Sequence, residues 1–320
     1  IMEHVELAGV HSGDSACMIP TQTLSDATLD RIREHSYAFA RELDVCGLIN
    51  IQYAIRDDEV YVLEVNPRAS RTVPFVSKAI GVPLAKVASL VMAGYSLQEL
   101  GFTREVIPRH WSVKEAVFPF VRFPGIDVLL SPEMKSTGEV MGIDSSFGMS
   151  FFKSQMAAGN ALPAGGNVFI SVRDQDKDKV VPLARQLSEL GFDLYATCGT
   201  SSVLWDAGIK SRALFRISDG HPNVIDLVED KQVGWIVNTP SSGAAPRMDE
   251  VKMRAHAVIR GIPITTTLDG LRAAIDGLHV WRDTQLLEVC SLQEYHRHSP
   301  HLAFDIVRQQ GEPAGSGEAG

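Results

Sequence analysis

The sequence predicts an α/β protein in two parts: an α+β region, then a doubly wound parallel sheet. Three observations carry that prediction. From Asn167 onward, short apolar runs alternate five times with helix-like stretches, the signature of parallel strands joined by crossover helices. Earlier, GLINIQYAI and VYVLEVN flank the polar RDDE as the two arms of a β-hairpin. Between the regions the composition shifts at AAGNALPAGG, a small-residue connection. The expected organisation is 1–160 for the first region with a connecting segment, 161–295 for the second, and a tail at 296–320.

The elements follow in order. The chain opens on the strand-like IMEHVELAGV without an initiator methionine, as though inside a domain, so a fragment of a longer protein is expected. TLSDATLDRIREHSYAFARELD predicts a surface helix with Ser25 as N-cap and Leu29, Ile32, Tyr37, Phe39, Ala40 and Leu43 roughly at helical spacing. In the hairpin, the odd positions Ile49, Ile51, Tyr53, Ile55, Tyr61, Leu63 and Val65 are apolar and should share a buried face. Pairing odd with odd needs an odd-length loop such as Asp57–Glu59, or a bulge. The other face then carries Gln52 opposite Glu64, with Asn66 two residues on. PFVSKAIGVPLAKVASLVMAG reads as helices interrupted by Gly81 and Pro83, and SVKEAVFPF as a strand. Residues 121–160 look irregular, then helical around Phe147 to Ala158. After the connection come strands at NVFISV, FDLYAT, RALFRI, VGWIVNTP and IPITTT. Each is followed by a helix: DKVVPLARQLSELG, TSSVLWDAG, NVIDLVEDKQ, DEVKMRAHAVIRG and LDGLRAAIDGL.

With 320 residues, 45% hydrophobic and 22% charged, the chain can bury a sizeable core. A net charge of -9 argues against a general nucleic-acid binder, which needs a basic face to neutralise phosphates. Cys17, Cys46, Cys198 and Cys290 show no metal-like or paired spacing and read as reduced thiols, with no zinc site expected. No apolar window reaches the ~18 to 20 residues of a membrane span, and the N-terminus lacks the features of a secretion signal. A cytoplasmic location away from membranes is expected. QQGEPAGSGEAG at the end should be disordered.

The hairpin carries the first chemistry. Gln52, Glu64 and Asn66 supply hard oxygen ligands of the kind Mg²⁺ takes, leaving positions for phosphate oxygens and water. Arg68 and Arg71 follow at once, and guanidinium forks complement phosphate geometry. Taken alone, E-x-N-P-R also fits a solvated strand end stopped by Pro67.

EVNPRASRTVPFVSKAIGVPLAKVA, with HVELAGVHSGDSAC upstream and SPEMKSTGEVMG downstream, closely resembles the carbamoyl phosphate synthetase large subunit. The similarity is to the second, carbamate-phosphorylating ATP-grasp half and covers about residues 1 to 290. The resemblance implies ATP and Mg²⁺ (or Mn²⁺) as cofactors, with Gln52, Glu64 and Asn66 matching the metal ligands and Gln52 and Glu64 also part of the nucleotide site. Arg68 and Arg71 match the arginines that hold the phosphates. Gly9, Val10, His11 and Ser12 match a nucleotide-contacting segment. Glu6, Asp14, Glu115 and Thr266 match an ornithine site. Singly, each of those acids reads as a solvated surface acid.

Ligands of doubly wound sheets sit at the carboxyl ends of the strands, beside helix N-termini. Scanning those ends gives Thr197 and Thr200 in ATCGTSS, Asn238 in VNTPSSG, and Lys177 just after the first strand. Hydroxyls, backbone amides and one lysine suit a phosphate monoester, although either threonine could be an ordinary N-cap. This region resembles the methylglyoxal-synthase-like (MGS-like) regulatory domain of the same family, in which Lys177, Thr197, Thr200, Arg216 and Asn238 match a site for the nucleotide effectors UMP or IMP. Three positions depart from the bacterial pattern. Arg216 stands for a lysine, Pro240 for a threonine and Thr265 for an aspartate.

The resemblance therefore implies a ligase part, the ATP-dependent phosphorylation of carbamate to carbamoyl phosphate for arginine and pyrimidine synthesis, under allosteric regulation. Its expected partners are a glutaminase small subunit and the missing N-terminal part of the large subunit. Alternatives are an isolated effector-binding module without catalysis and another ATP-grasp ligase. A triose-phosphate lyase has less support, since VNTPSSGAAP supplies no carboxylate before Asp249.

Overall fold

The computed structural model describes residues 1–123, 127–241, 244–284 and 287–297. The expected disorder of the extreme tail falls outside them. In chain order the first elements are β1 (Glu3–His4), β2 (Cys17–Ile19), α1 (Asp26–Glu42), β3 (Asn50–Arg56), β4 (Glu59–Asn66), α2 (Val73–Ile80) and α3 (Leu84–Met92). Then come β5 (Trp111–Val117), β6 (Gly138–Asp144), α4 (Phe147–Ala157), β7 (Gly166–Ser171), α5 (Lys177–Glu189), β8 (Phe192–Thr197) and α6 (Cys198–Asp206). The last are β9 (Arg212–Leu214), α7 (Val224–Glu229), β10 (Trp235–Asn238), α8 (Ala244–Ile259), β11 (Ile264–Thr265), α9 (Leu268–Thr284) and α10 (Leu292–Tyr295). The described chain forms two compact units. One is Thr21–Arg109 with Ile1 and the residues from Val289; the other is Met2–Pro20 with His110–Glu288.

In the first unit, Ser25 caps α1 by accepting from the Thr28 amide at 3.3 Å, as its position before the periodic run predicts. The hairpin pairs Asn50 with Asn66, Ile51 with Val65 and Gln52 with Glu64. A bulge then shifts the register, so that Tyr53 pairs with Val62, Ala54 with Tyr61 and Arg56 with Glu59. The loop is even: Asp57 and Asp58, both at positive φ (50° and 63°), make the two-residue turn that matches strand twist. Of the two routes open to the sequence, the chain takes the bulge.

The bulge corrects one expectation. An extra residue moves the pleat by one step, so no single odd-numbered face runs the length of the hairpin. Tyr61 and Leu63 are 52% and 51% exposed, and Ile55 is exposed as well. Within this unit α1 packs on β4, and Tyr53 reaches it through a 2.9 Å contact between its hydroxyl and Ser36 Oγ. Gly81, at φ 72°, ends α2, and α3 leaves at 110°. Among the described residues no single helix is long and apolar enough to cross a membrane.

The second unit holds an antiparallel sheet, ordered β1-β2-β5-β6, and a five-stranded sheet, ordered β11-β10-β7-β8-β9, in which every pair is parallel. The central strands of the parallel sheet, β7, β8 and β10, are covered on both faces. Val168, Ile170, Trp235 and Val237 face Leu183, Leu187, Leu271 and Ile275, while Phe169 and Ile236 face Val224, Leu227, Met253 and Ala257. Near-continuous apolar runs are what two covered faces require.

β6 lies in the stretch expected to be irregular. GEVMGID carries two glycines and two acids, yet it pairs along its length with β5 from Trp111↔Asp144 to Val117↔Gly138. One apolar cluster runs from Val5, Met18 and Val113 of the antiparallel sheet through Phe147 and Phe152 of α4 to Val168 and Leu271.

Candidate functional site

The hairpin end gathers its polar side chains as the register dictates. Gln52 and Glu64 face each other, and Asn66 donates from Nδ2 to Glu64 Oε1. Arg68 is drawn into the same group: its backbone amide donates to the Asn66 carbonyl at 2.8 Å and its Nη2 to Asn66 Oδ1 at 3.4 Å. Arg71 is exposed two residues before α2. One carboxylate and two amide oxygens form a hard donor set that fits Mg²⁺ or Mn²⁺ and leaves most positions for phosphate and water. Asn66 Oδ1 accepts from Arg68 and, having two lone pairs, keeps one for a cation.

Gly9, Val10, His11 and Ser12 belong to the second unit, the hairpin to the first. Gly9 has φ 106°, a conformation open to glycine. The His11 amide donates to the Ser131 carbonyl at 2.9 Å, and its Nδ1 accepts from the Gly13 amide at 3.0 Å, which fixes the tautomer with the proton on Nε2. Lys114, fully buried, donates from Nζ to the carbonyls of Ser12 at 3.3 Å and Gly13 at 3.2 Å. A lysine inside β5 thus braces this segment from below, a role that its place in an apolar run does not announce.

The acids next to this segment are not surface acids. Asp14 is buried and accepts the backbone amides of Lys135 at 2.7 Å and Ser136 at 3.0 Å. Glu6 Oε2 accepts from the Ala16 amide at 2.6 Å, and Glu115 Oε2 from Gln155 Nε2 at 2.6 Å. Burial pushes both Glu6 and Glu115 well above the usual carboxylate range, Glu115 to about 8, and each opposes a second negative charge nearby. Burial and then the Lys114 charge lower His4 to about 4. Thr266 follows β11, flanked by Thr265, which accepts from Trp235 Nε1 at 3.0 Å, and Thr267, which accepts the Gly270 amide at 3.0 Å. A Cβ on Gly270 would stand 4.0 Å from Val5 Cγ1, so the start of α9 abuts the residue next to Glu6.

At the carboxyl ends of the parallel strands, Lys177, Thr197, Thr200 and Arg216 come together. Lys177 Nζ would lie 3.0 Å from a Cβ on Gly199, so glycine there gives the lysine room at the start of α6. It pairs with Asp174 at 2.7 Å; this pairing, aided by the Arg216 charge, holds Asp174 below the usual carboxylate range. Thr197 occupies the N-cap position of α6 without a side-chain cap; its hydroxyl instead donates to Thr200 Oγ1 at 3.2 Å. Thr197 therefore stands at the N-cap, as a strand-to-helix threonine does, but does not cap through its side chain. Asn238 is fully buried, donating from Nδ2 to the Ser171 carbonyl at 3.0 Å and accepting from Arg254 Nη1 at 2.6 Å.

Sequence reasoning missed Arg254, Asp174 and Lys114. Arg254 and Asp174 had readable signals, the Glu250–Arg254 pair at i,i+4 and the Asp174–Lys177 pair at i,i+3.

Comparison with known proteins adds to this geometry. Residues 2–100 match the carbamoyl-phosphate synthase L chain, ATP binding domain, and residues 179–266 match the MGS-like domain. The chain is 52% identical over 296 residues to a carbamoyl phosphate synthase large chain from Synechocystis sp., covering 92% of this chain and 27% of that one. It is 51% identical over 300 residues to the large chain of Archaeoglobus fulgidus, covering 93% and 28%. To the arginine-specific chloroplastic large chain of Oryza sativa it is 51% identical over 296 residues, covering 92% and 25%. It thus spans about a quarter of the length of the curated relatives it matches.

Proposed function

We propose a function from the premise that this chain belongs, as a segment, to the carbamoyl phosphate synthase large-chain family. It supplies the phosphate-handling end of an ATP-dependent carbamate-phosphorylating site, together with a nucleotide-sensing regulatory domain. The observation that carries the first part is the convergence of Gln52, Glu64, Asn66 and Arg68 on one end of the hairpin. Glu64, Asn66 and Gln52 would hold Mg²⁺, which when bound neutralises phosphate charge and orients the phosphate oxygens. Arg68 and Arg71 supply fixed positive charge for a phosphoryl group in transfer, where positioning and electrostatics do most of the work. His11, with its proton on Nε2, and Ser12 offer donors to ribose or phosphate oxygens.

In the complete protein, carbamate attacks the γ-phosphorus of ATP, giving carbamoyl phosphate and ADP without a covalent enzyme intermediate. The remainder of the large chain and a glutaminase small subunit as ammonia source are the proposed partners. The pocket of Lys177, Thr197, Thr200, Arg216 and Asn238 takes a nucleoside monophosphate, UMP or IMP. Glu6, Asp14 and Glu115, with Thr266, take the amino groups of a small cationic amino acid such as ornithine. In the complete protein, ADP release from ATP and carbamate tests the reading; turnover indifferent to Glu64→Gln and to Arg68→Ala would remove the hairpin from the site.

A regulatory role for the second unit alone is favoured by one further observation. The nucleotide pocket and the buried acids both lie within Met2–Pro20 and His110–Glu288. Titration with UMP and IMP tests it independently of catalysis.

A further inference from the structure

We propose that Arg254 is a positioning residue that couples the pocket at the ends of the parallel strands to the buried acid cluster. The route runs through Asn238 on one side and through Asp127, Lys135 and Asp14 on the other. It rests on the reading of that pocket as a phosphate-monoester site.

Arg254 has zero exposure, so its charge is compensated wholly by protein groups. Nε and Nη2 make a bidentate pair with Asp127 at 2.8 and 2.9 Å, Nη1 donates to Asn238 Oδ1 at 2.6 Å, and Glu250 lies 3.6 Å away. Because guanidinium only donates, it fixes which end of the Asn238 amide faces it and turns Nδ2 toward Ser171 and the strand end. Glu250 in turn accepts the Ser241 amide, in the loop after β10, at 3.2 Å. Arg254 therefore meets both Asn238 and, through Glu250, the loop that follows it.

The other branch is equally continuous. The Asp127 carbonyl accepts Lys135 Nζ at 3.2 Å, and the Leu129 carbonyl accepts it at 2.8 Å. The Lys135 and Ser136 amides hold the two oxygens of Asp14, and Ser136 Oγ donates to the Gly13 carbonyl at 3.3 Å. An anion at the strand end that draws on Asn238 or on the Ser241 amide changes what Arg254 must balance. Arg254 itself has no solvent to take up the difference, so Asp127, whose side chain is 25% exposed, and the segment behind it respond. By linkage the effect runs in both directions.

Hydrogen exchange of the full-length protein with and without saturating UMP, and separately IMP, tests this. In the wild type, bound nucleotide should change exchange across 129–137 by about threefold or more. In Asp127→Asn and Arg254→Lys the nucleotide should still bind, but that response should vanish. Asp127→Asn keeps the test valid if the buried arginine variant does not fold. An undiminished response in the variants, or none in the nucleotide-bound wild type, overturns the proposal. Failure of both nucleotides to bind the wild type overturns the pocket reading and this inference with it.

Discussion

Gln52 stands directly opposite Glu64, and the register slips by one residue immediately beyond that pair. The two sides of the hairpin thus serve different ends. Up to the bulge, register places Gln52, Glu64 and Asn66 on one face; past it, a tight Asp57-Asp58 turn closes an even loop. Without the bulge, an even loop would set Gln52 against an odd-numbered partner and onto the other face from Glu64.

Glu64→Gln should therefore separate chemistry from folding. Glu64 is exposed, so stability should stay within about 0.5 kcal/mol of the wild type. Loss of the one carboxylate among the three oxygen donors should lower ATP-dependent turnover of the complete protein at least about 100-fold. ADP release and urea denaturation measure the two effects. A large drop in stability instead would mean that the side chain is structural.

The close contacts of α4 with β6 and with α9 give a prediction about packing. A Cβ on Gly142 would lie 1.9 Å from the Ser150 carbonyl oxygen, one on Gly148 2.7 Å from the Asp276 carbonyl carbon, and one on Gly277 2.5 Å from the Gly148 carbonyl oxygen. These are backbone neighbours, so nothing can rotate away. Gly142→Ala should cost about 3 kcal/mol or more, at the upper end of overpacking effects. Gly165→Ala, where nothing lies within 4 Å, should stay within about 0.5 kcal/mol. A shifted urea midpoint at constant m-value is the expected signature.

Lys177 and Asp174 should give effects of opposite sign at the proposed nucleotide pocket. Removing the ammonium in Lys177→Ala should weaken UMP or IMP binding by about 10-fold or more, the scale of one charge-assisted hydrogen bond. Asp174 is 93% exposed and competes for the same ammonium at 2.7 Å, so Asp174→Asn should tighten binding. Calorimetric titration at two salt concentrations reads both. If the two variants moved affinity in the same direction, Lys177 would not be the ligand's cation.

The parts legible in the sequence were those in which pattern and fold share a period. Five apolar runs separated by helical stretches became β7 to β11 in one parallel sheet, because both faces of its central strands needed covering. The Gln52–Glu64 pairing was legible because the apolar alternation of the two arms pairs odd with odd, as Ile51 pairs with Val65, up to the bulge. β6 was not, since its stability comes from β5 and α4 rather than from GEVMGID itself. Nor was the extent of the second unit, where residues 2–20 join a sheet whose other strands begin only at Trp111. The Arg254–Asp127 pair spans 127 positions, and no local rule connects them.

The buried acids predict two pH dependences. Glu115, raised to about 8, and Glu6, also raised, hold their protons more tightly folded than unfolded, where a glutamate titrates near 4.5. Their contribution to stability is full below that value and is lost as pH rises toward about 8. His4, lowered from 6.5 to about 4, acts oppositely: its contribution is lost as pH falls from 6.5 toward 4. Above pH 6.5 only the acids slope, so urea stability should decline from there toward pH 8, and less steeply in Glu115→Gln. Binding of a cationic amino acid requires the anionic acids, so ornithine affinity should rise over the same range with release of protons to buffer. Calorimetry in two buffers of different ionisation heat counts those protons. Affinity that does not change between pH 6.5 and 8, with no proton released, would show that ornithine does not bind at this pair.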